Sequence, residues 1–346
     1  MKIVQVISGH LPLDPTENRR WGAMETVMIE YQKKLTDLGH EVSFKYLNDV
    51  VVGEQDIVHL HVANLCIEAQ KKGIPYIYSN HDHTSCYLGR DSDLYRQQLA
   101  AIKGSIFSIC HAESVLDFFN GTDKLFYVPH GVDTKFYIPL DNYVPPTQIE
   151  DCKLLMCANN GMAGDYTIDR KGFRLGIEAA KTLGMEITIV GAESNAKFFE
   201  HHKDLAAYEN LILDISNPPD SKKLSYFMYA DIFIHASSIE FGSPNLSICE
   251  SASCCLPMVA SYSGSMYIEG LHQLKELTVE DVIEKIKAAY NYLKYDSGRS
   301  KMLEARHLYD WGHVATNIES MYHAILQPKN LNSKQVKKQY LEVYGV

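Results

Sequence analysis

The 346-residue chain has eight cysteines (66, 86, 110, 152, 157, 249, 254 and 255), but no CxxC pair and no Cys/His spacing that holds zinc. That excludes a zinc ribbon or a dithiol redox motif. Several of these cysteines fall inside apolar runs, where free Cys behaves as a small hydrophobe. Such usage points to a reducing compartment. Long apolar segments are missing too. The opening MKIVQVIS runs straight into polar sequence and is too short for a signal peptide or a membrane span. The expectation is a cytoplasmic protein with no integral membrane segment. Positive charge is also in short supply, with a net charge of −10. Residues 1–150 hold 13 Lys/Arg against 19 Asp/Glu, and residues 151–346 hold 20 against 24. Neither half offers a field that would attract nucleic acid or an anionic membrane, so such a partner would need a local patch. No internal repeat or low-complexity tract is visible. No GxGxxG follows a strand, which argues against a nicotinamide cofactor.

What the chain does have is a regular α/β rhythm. A hydrophobic content of 46% with 22% charged residues describes a folded protein, and the length accommodates two domains. Strand-like runs occur at 2–8, 41–47, 56–62, 74–80, 105–111 and 124–130, with helical patterns between them, notably Ala23–Leu38 closed by Gly39. The proline-bearing stretch 139–150 reads as a semi-rigid linker. The rhythm then restarts with strands at 152–158, 185–192, 211–216, 231–237 and 257–261. Helices are expected at Phe173–Leu183, Ser221–Tyr229, Leu246–Ser253, Val279–Tyr295 and His313–Leu326. Alternation of this kind implies βαβ units and parallel sheets. The expected architecture is two Rossmann-like α/β domains facing each other across a cleft at the carboxyl ends of their strands. The boundaries are 1–144, 145–310 and a helix plus polar tail at 311–346 that returns toward the first domain.

The most informative segment is DIFIHASSIEFGSPNLSICESASCCLPMVA (231–260). An apolar strand ends in small polar residues, then Glu240, a Phe241-Gly242-Ser243-Pro244-Asn245 turn and a helix carrying Glu250. A helix start leaves its first amides unpaired and favours an anion, while nearby carboxylates can grip hydroxyls. Phosphate together with hydroxyls points to a sugar nucleotide. A second polar cluster, Ser79-Asn80-His81-Asp82-His83, follows a strand of the first half, and a basic pair, Arg170-Lys171, opens a helix after the linker.

With GHEV (39–42), VPHGVDTKFY (128–137), DRKGF (169–173), the 240–250 loop and YDWGHVATNIESMY (309–322), the chain resembles retaining glycosyltransferases of the GT-B architecture, specifically family 4. The resemblance implies a donor mainly on the second domain, an acceptor on the first, and no metal or other cofactor beyond the nucleotide-sugar co-substrate. By this resemblance Gly22 and Ala23 approach the donor phosphates, His81 faces the donor sugar, and Lys171 neutralises the diphosphate. An arginine that the family carries earlier is replaced here by Asn159-Asn160, and Arg170 stands in for it. The turn at Ser216 meets the base of a nucleoside diphosphate, with UDP the commonest choice. The backbone of Gly242, Ser243, Pro244, Asn245 and Leu246 contacts sugar and phosphate, and Glu250 matches the glutamate that holds the ribose. Nine residues separate Glu240 from Glu250 where the family has seven, so either Glu240 or Phe241 occupies the first glutamate position. His130 stands where the family has Asn.

The acceptor is open. IYSNHDHTSCYLGR (77–90) is similar to a stretch of phage DNA α-glucosyltransferases, which implies DNA carrying hydroxymethylated bases as an alternative acceptor and the host cytoplasm as the location. His83, Arg90 and Arg19 are the acceptor-side candidates. A non-catalytic sugar-nucleotide-binding protein is the further alternative.

Overall fold

The computed structural model describes residues 1–8, 23–159, 161–163, 168–240, 245–262, 264, 266–294 and 296–326. The chain divides into two compact units: unit 1 is residues 1–130 with the chain from Trp311 onward, and unit 2 is Gly131–Asp310.

Unit 1 holds β1 (Lys2–Ile7), α1 (Ala23–Asp37), β2 (Glu41–Tyr46), β3 (Ile57–Leu60), α2 (Ala63–Lys71), β4 (Ile77–Asn80), α3 (Thr84–Leu88), α4 (Asp93–Gly104), β5 (Ser108–Cys110), α5 (Glu113–Phe118) and β6 (Leu125–Tyr127). The strands form one sheet in the order β2-β1-β3-β4-β5-β6, parallel throughout. Because helices cover both faces, the inner strands are buried along their length: IVHL of β3 and IYSN of β4 have no exposed residue.

Unit 2 contains β7 (Lys153–Cys157), β8 (Met162–Ala163), β9 (Ile168–Asp169), α6 (Phe173–Leu183), β10 (Glu186–Val190), α7 (Ala196–His201), α8 (Lys203–Ala206) and β11 (Leu211–Asp214). It continues through α9 (Asp220–Tyr229), β12 (Ile232–His235), α10 (Leu246–Ser253), β13 (Met258–Ala260), β14 (Leu271–Gln273), α11 (Val279–Lys294) and α12 (Asp296–Ala305). The chain then returns to unit 1 as α13 (Trp311–Leu326), which packs on α1. The second sheet runs β11-β10-β7-β12-β13-β14, again parallel throughout, and β8–β9 form a separate two-stranded antiparallel hairpin. The strand order reverses between β7 and β12, and in open α/β sheets the crevice at such a reversal is where ligands bind.

The stretch 139–150 belongs to unit 2. The Tyr143 hydroxyl donates to Asp231 Oδ1 at 2.6 Å, and the Tyr290 hydroxyl donates to the Thr147 carbonyl at 2.7 Å. Two helices match their expected bounds residue for residue. Phe173–Leu183 lies between Gly172 and Gly184, both in the left-handed region, and Leu246–Ser253 begins at the Asn245 cap. Three elements carried too weak an apolar signal to be read: β14, the β8–β9 hairpin, and α12, whose sequence DSGRSKMLEA has only three hydrophobic side chains.

Candidate functional site

In unit 2 the chain at 169–172 is locked against the loop that leaves β12. The Arg170 carbonyl accepts from the Ser238 amide at 3.0 Å and the Ser237 hydroxyl at 3.1 Å, and the Arg170 amide donates to the Gly161 carbonyl at 2.8 Å. Gly172 sits at φ +73°, and a Cβ there would lie 2.3 Å from the Ala236 carbonyl oxygen. Only glycine allows this approach, and it is what brings Arg170 and Lys171 to Glu240. Lys171 Nζ lies 2.6 and 2.7 Å from the two Glu240 oxygens, and Arg170 Nη2 lies 2.8 Å from Oε1. Lys171 and Glu240 are both buried. Burial alone would raise the Glu240 carboxyl, but the Lys171 charge and the hydrogen bond from Lys171 hold it well below the usual carboxylate range. Burial pushes Lys171 down, opposed by Glu240. The cluster of two cations and one anion is left with a net positive charge.

Asn245 ties this cluster to the next helix. Its amide nitrogen donates to His235 Nε2 at 2.8 Å and to Glu240 Oε2 at 3.2 Å, while its oxygen caps α10 by accepting from the Ile248 amide at 3.1 Å. The amides of Leu246 and Ser247 at the head of α10 have no acceptor among the described residues. The head of α6 is different. Asp169 accepts from the amides of Gly172, Phe173 and Arg174 at 2.8, 3.1 and 2.7 Å, so that terminus is already occupied by a carboxylate. The helix start beside Arg170 and Lys171 therefore offers an anion their side-chain charges, and the open amides belong to α10.

Glu250, buried on α10, accepts from Lys223 Nζ of α9 at 2.5 Å, and its Oε2 accepts no hydrogen bond among the described residues. Burial opposes the charge on Lys223, but Glu250 outweighs it and the ammonium is held above its ordinary value. One carboxylate oxygen is thus anchored, and the other is buried with no hydrogen-bond partner among the described residues. Ser216, after β11, donates its hydroxyl to Asp214 Oδ1 at 2.6 Å and its amide to the same atom at 3.1 Å.

In unit 1 the strand ends carry a column of histidines. The rings of His59 (β3), His61 (after β3), His81 (after β4), His111 (after β5) and His130 (after β6) stack in sequence. Successive centroids are 4.4, 5.2, 4.6 and 4.4 Å apart. His81 is half-buried and the other four are buried. Burial, reinforced by neighbouring histidines, lowers the proton affinity of His59 to about 3 and takes His61 and His81 well below the usual imidazole range. His111 falls to about 4, again through burial, although its hydrogen bond to the Val128 carbonyl opposes the shift. His59, His61, His81 and His111 are therefore stacked as neutral imidazoles. The ring nitrogens of His81, His111 and His130 lie within 4.8 Å of one another, close enough for a shared cation. Their planes, however, are within 9–27° of parallel, so the lone pairs run side by side, and the rings would have to turn to converge on an ion. His40, Glu319 and His323 form a second such group, in which His40 Nε2 is 2.7 Å from Glu319 Oε1.

The structure therefore brings Arg170, Lys171, Glu240 and Asn245 into one cluster, with Leu246 and Glu250 on the helix that Asn245 caps. Ala23 is the first residue of α1. His83 precedes α3, and Arg90 is exposed, donating to the Phe118 carbonyl at 2.9 Å and stacking over that ring. Arg19, Gly22, Asn160 and Phe241–Pro244 lie outside the described residues. Sequence reasoning did not single out His59, His61, Lys223, His235 or Asn195. Asn195 Oδ1 accepts from the Gly161 amide at 3.0 Å, and its Nδ2 donates to the Ala158 carbonyl at 2.7 Å, closing the turn after β7. The signal for the histidines was present in HLH, NHDH, ICH and VPH, each at the end of a strand-like run.

No protein-family model matches the chain, and no curated protein matches it in sequence. Solved structures do match in shape. A glycosyltransferase from Rickettsia africae superposes with a TM-score of 0.65 at 16% identity, covering 95% of this chain and 99% of that one. Anabaena HepE in complex with UDP-glucose gives 0.66 at 13% identity, covering 94% and 100%. The catalytic domain of Arabidopsis thaliana starch synthase IV, bound to ADP and acarbose, gives 0.64 at 12% identity, covering 93% and 98%. The fold is GT-B. Its two Rossmann-like units each have a parallel six-stranded sheet.

Proposed function

We propose that the protein is a retaining glycosyltransferase that moves a sugar from a nucleoside-diphosphate donor, a UDP-sugar, to an acceptor hydroxyl without a metal ion. The observation that carries this reading is the Arg170–Lys171–Glu240 cluster at the strand-order reversal of unit 2, beside the open amides of α10. Two cations with one compensating anion leave a net charge that a departing diphosphate neutralises, and fixed charges aimed at a developing anion are a large source of rate acceleration. Glu250, anchored by Lys223, has the free oxygen that a ribose hydroxyl needs. Retention without a covalent intermediate fits Glu240, whose oxygens are held by Lys171, Arg170 and Asn245 and are poorly placed to act as a nucleophile. The Anabaena neighbour was solved with UDP-glucose and the Arabidopsis one with ADP, which supports a nucleotide-sugar donor and leaves the base to experiment.

A thermal-shift screen of nucleotide sugars identifies the donor, since binding stabilises by RT ln(1 + [L]/Kd). Transfer to candidate acceptors then follows, including DNA with and without hydroxymethylated bases, with the product anomer read by NMR. Lys171→Ala and Glu250→Ala are expected to abolish turnover and weaken donor binding, respectively. Failure of every nucleoside diphosphate to bind would sink the proposal, and binding without turnover would leave a sugar-nucleotide-binding protein.

A further inference from the structure

We infer that Gln5 and His61 fix the tautomer of His81, so that His81 meets its ligand as a hydrogen-bond acceptor through Nδ1. The direction of a chain of hydrogen bonds decides this. It starts at the Met28 carbonyl, which can only accept, so the Gln5 group 2.9 Å from it is the amide nitrogen. Gln5 Oε1 then faces His61 Nε2 at 3.1 Å, and an amide oxygen requires a donor, which places the His61 proton on Nε2. A neutral imidazole carries one N–H, so His61 Nδ1 is a lone pair. His81 Nε2, 2.9 Å away, must donate to it. The His81 proton is thereby committed to Nε2, and Nδ1 is left with its lone pair.

The links that impose this order are buried. Gln5 is fully buried and His61 nearly so. Neither can turn over without leaving a polar group unpaired in the core. Among the five stacked rings, His81 is the one with solvent access. The rings stacked directly on it, His61 and His111, are neutral, so neither supplies a proton that would turn Nδ1 into a donor. The ligand group that suits such a nitrogen is a hydroxyl able to donate. A carbonyl or phosphate oxygen, which can only accept, would be turned away. That the hydroxyl belongs to a sugar rests on the glycosyltransferase reading; the tautomer itself does not. Gln5 and His61 act as positioning residues, through His81.

The test is nitrogen NMR of the full chain with 15N-labelled histidine, His81 being assigned from the signals that disappear in His81→Asn. In the unliganded wild type, His81 is expected to be protonated on Nε2 and bare on Nδ1, with a coupling across the hydrogen bond to His61 Nδ1. Gln5→Glu puts a carboxylate against His61 Nε2–H. This favours a second proton on His61 Nδ1, which then donates to His81, and the His81 proton is expected to move to Nδ1. A wild-type His81 protonated on Nδ1 overturns the inference whether or not the variant folds. So does a folded Gln5→Glu whose new side chain is ionised, as read from its carboxyl 13C shift, and whose His81 is unchanged. A separate arm uses UDP-glucose turnover, where Gln5→Glu is expected to lower kcat/KM roughly tenfold, the value of one hydrogen bond removed. Absence of turnover in the wild type would count against the proposed function while leaving the tautomer result intact.

Discussion

Replacing Glu240 by glutamine keeps the shape of the side chain and removes the charge that faces Arg170 and Lys171. The three charged hydrogen bonds to its carboxylate measure 2.6 to 2.8 Å, and both Lys171 and Glu240 are buried. At an effective dielectric constant of about 20, one such attraction is worth about 4 kcal/mol before desolvation is charged against it. Removing one partner of a buried pair costs about 3–5 kcal/mol, because the remaining charge stays in the interior uncompensated. A glutamine oxygen can still accept from one of the cations, so the expected loss is about 3 kcal/mol, near the bottom of that range. At about 2–4 °C per kcal/mol for a domain of this size, the transition of unit 2 should fall by roughly 6–12 °C in calorimetry.

Ligand should change the comparison. The variant presents two cations with no anion, so a diphosphate replaces the missing charge, and UDP should raise the transition of Glu240→Gln by more than it raises the wild type. Transfer should nevertheless slow, since the geometry that aims Lys171 is gone. A Glu240→Gln protein within about 1 kcal/mol of wild type without ligand would mean that the pair carries no buried charge. An equal UDP shift in both would mean that the cluster does not face a phosphate.

Gly172→Ala must hold a left-handed backbone and place a methyl 2.3 Å from the Ala236 carbonyl oxygen. A loss of about 2–4 kcal/mol is expected by chemical denaturation, from about 1–2 kcal/mol of strain plus overpacking, with transfer falling alongside it. Glu250→Gln strips the charged partner from the half-buried Lys223, so stability should drop by about 1–2 kcal/mol, whereas the double variant Glu250→Gln/Lys223→Met should recover most of it; equal stabilities in wild type and Glu250→Gln would show that the pair contributes nothing. The neutral histidines give unit 1 a defined acid sensitivity. His59 and His111 are lowered in the folded state to about 3 and about 4, while the unfolded chain takes up their protons near 6.5. Below pH 6.5 the unfolded state therefore binds more protons, and stability falls with pH until the folded values are reached. Between about pH 7 and pH 5 the loss should be on the order of 1–2 kcal/mol for each buried ring, and His59→Gln should flatten part of that slope. A urea midpoint that stays constant over this range would contradict a neutral stack.

How much of this could be read from the chain depends on whether a feature is local. The parallel strands were legible because a strand covered on both faces is a short apolar run, and IFIH or IVHL needs no partner to be recognised. The bounds of α6 were legible because glycine stands at both ends. By contrast, β14 is LHQ at a sheet edge, held by its pairing with β13 rather than by its composition. The site divides the same way. Arg170, Lys171 and Glu250 announce themselves as charges beside helix starts, but nothing local says that Lys171 and Glu240, 69 residues apart, are hydrogen-bonded to each other. That pairing needs the Gly172 approach to Ala236, a fact of tertiary packing. The extra residues between Glu240 and Glu250 put the role of Glu240 in question at the level of spacing, and the fold places both its oxygens against Lys171. The histidines make the same point more sharply. Read singly, each is a polar residue ending a strand. Parallel register puts those strand ends side by side, so the four sequence fragments become one stack, and the proton position on His81 is then set by Gln5, a residue 76 positions away that no motif would have drawn into the site.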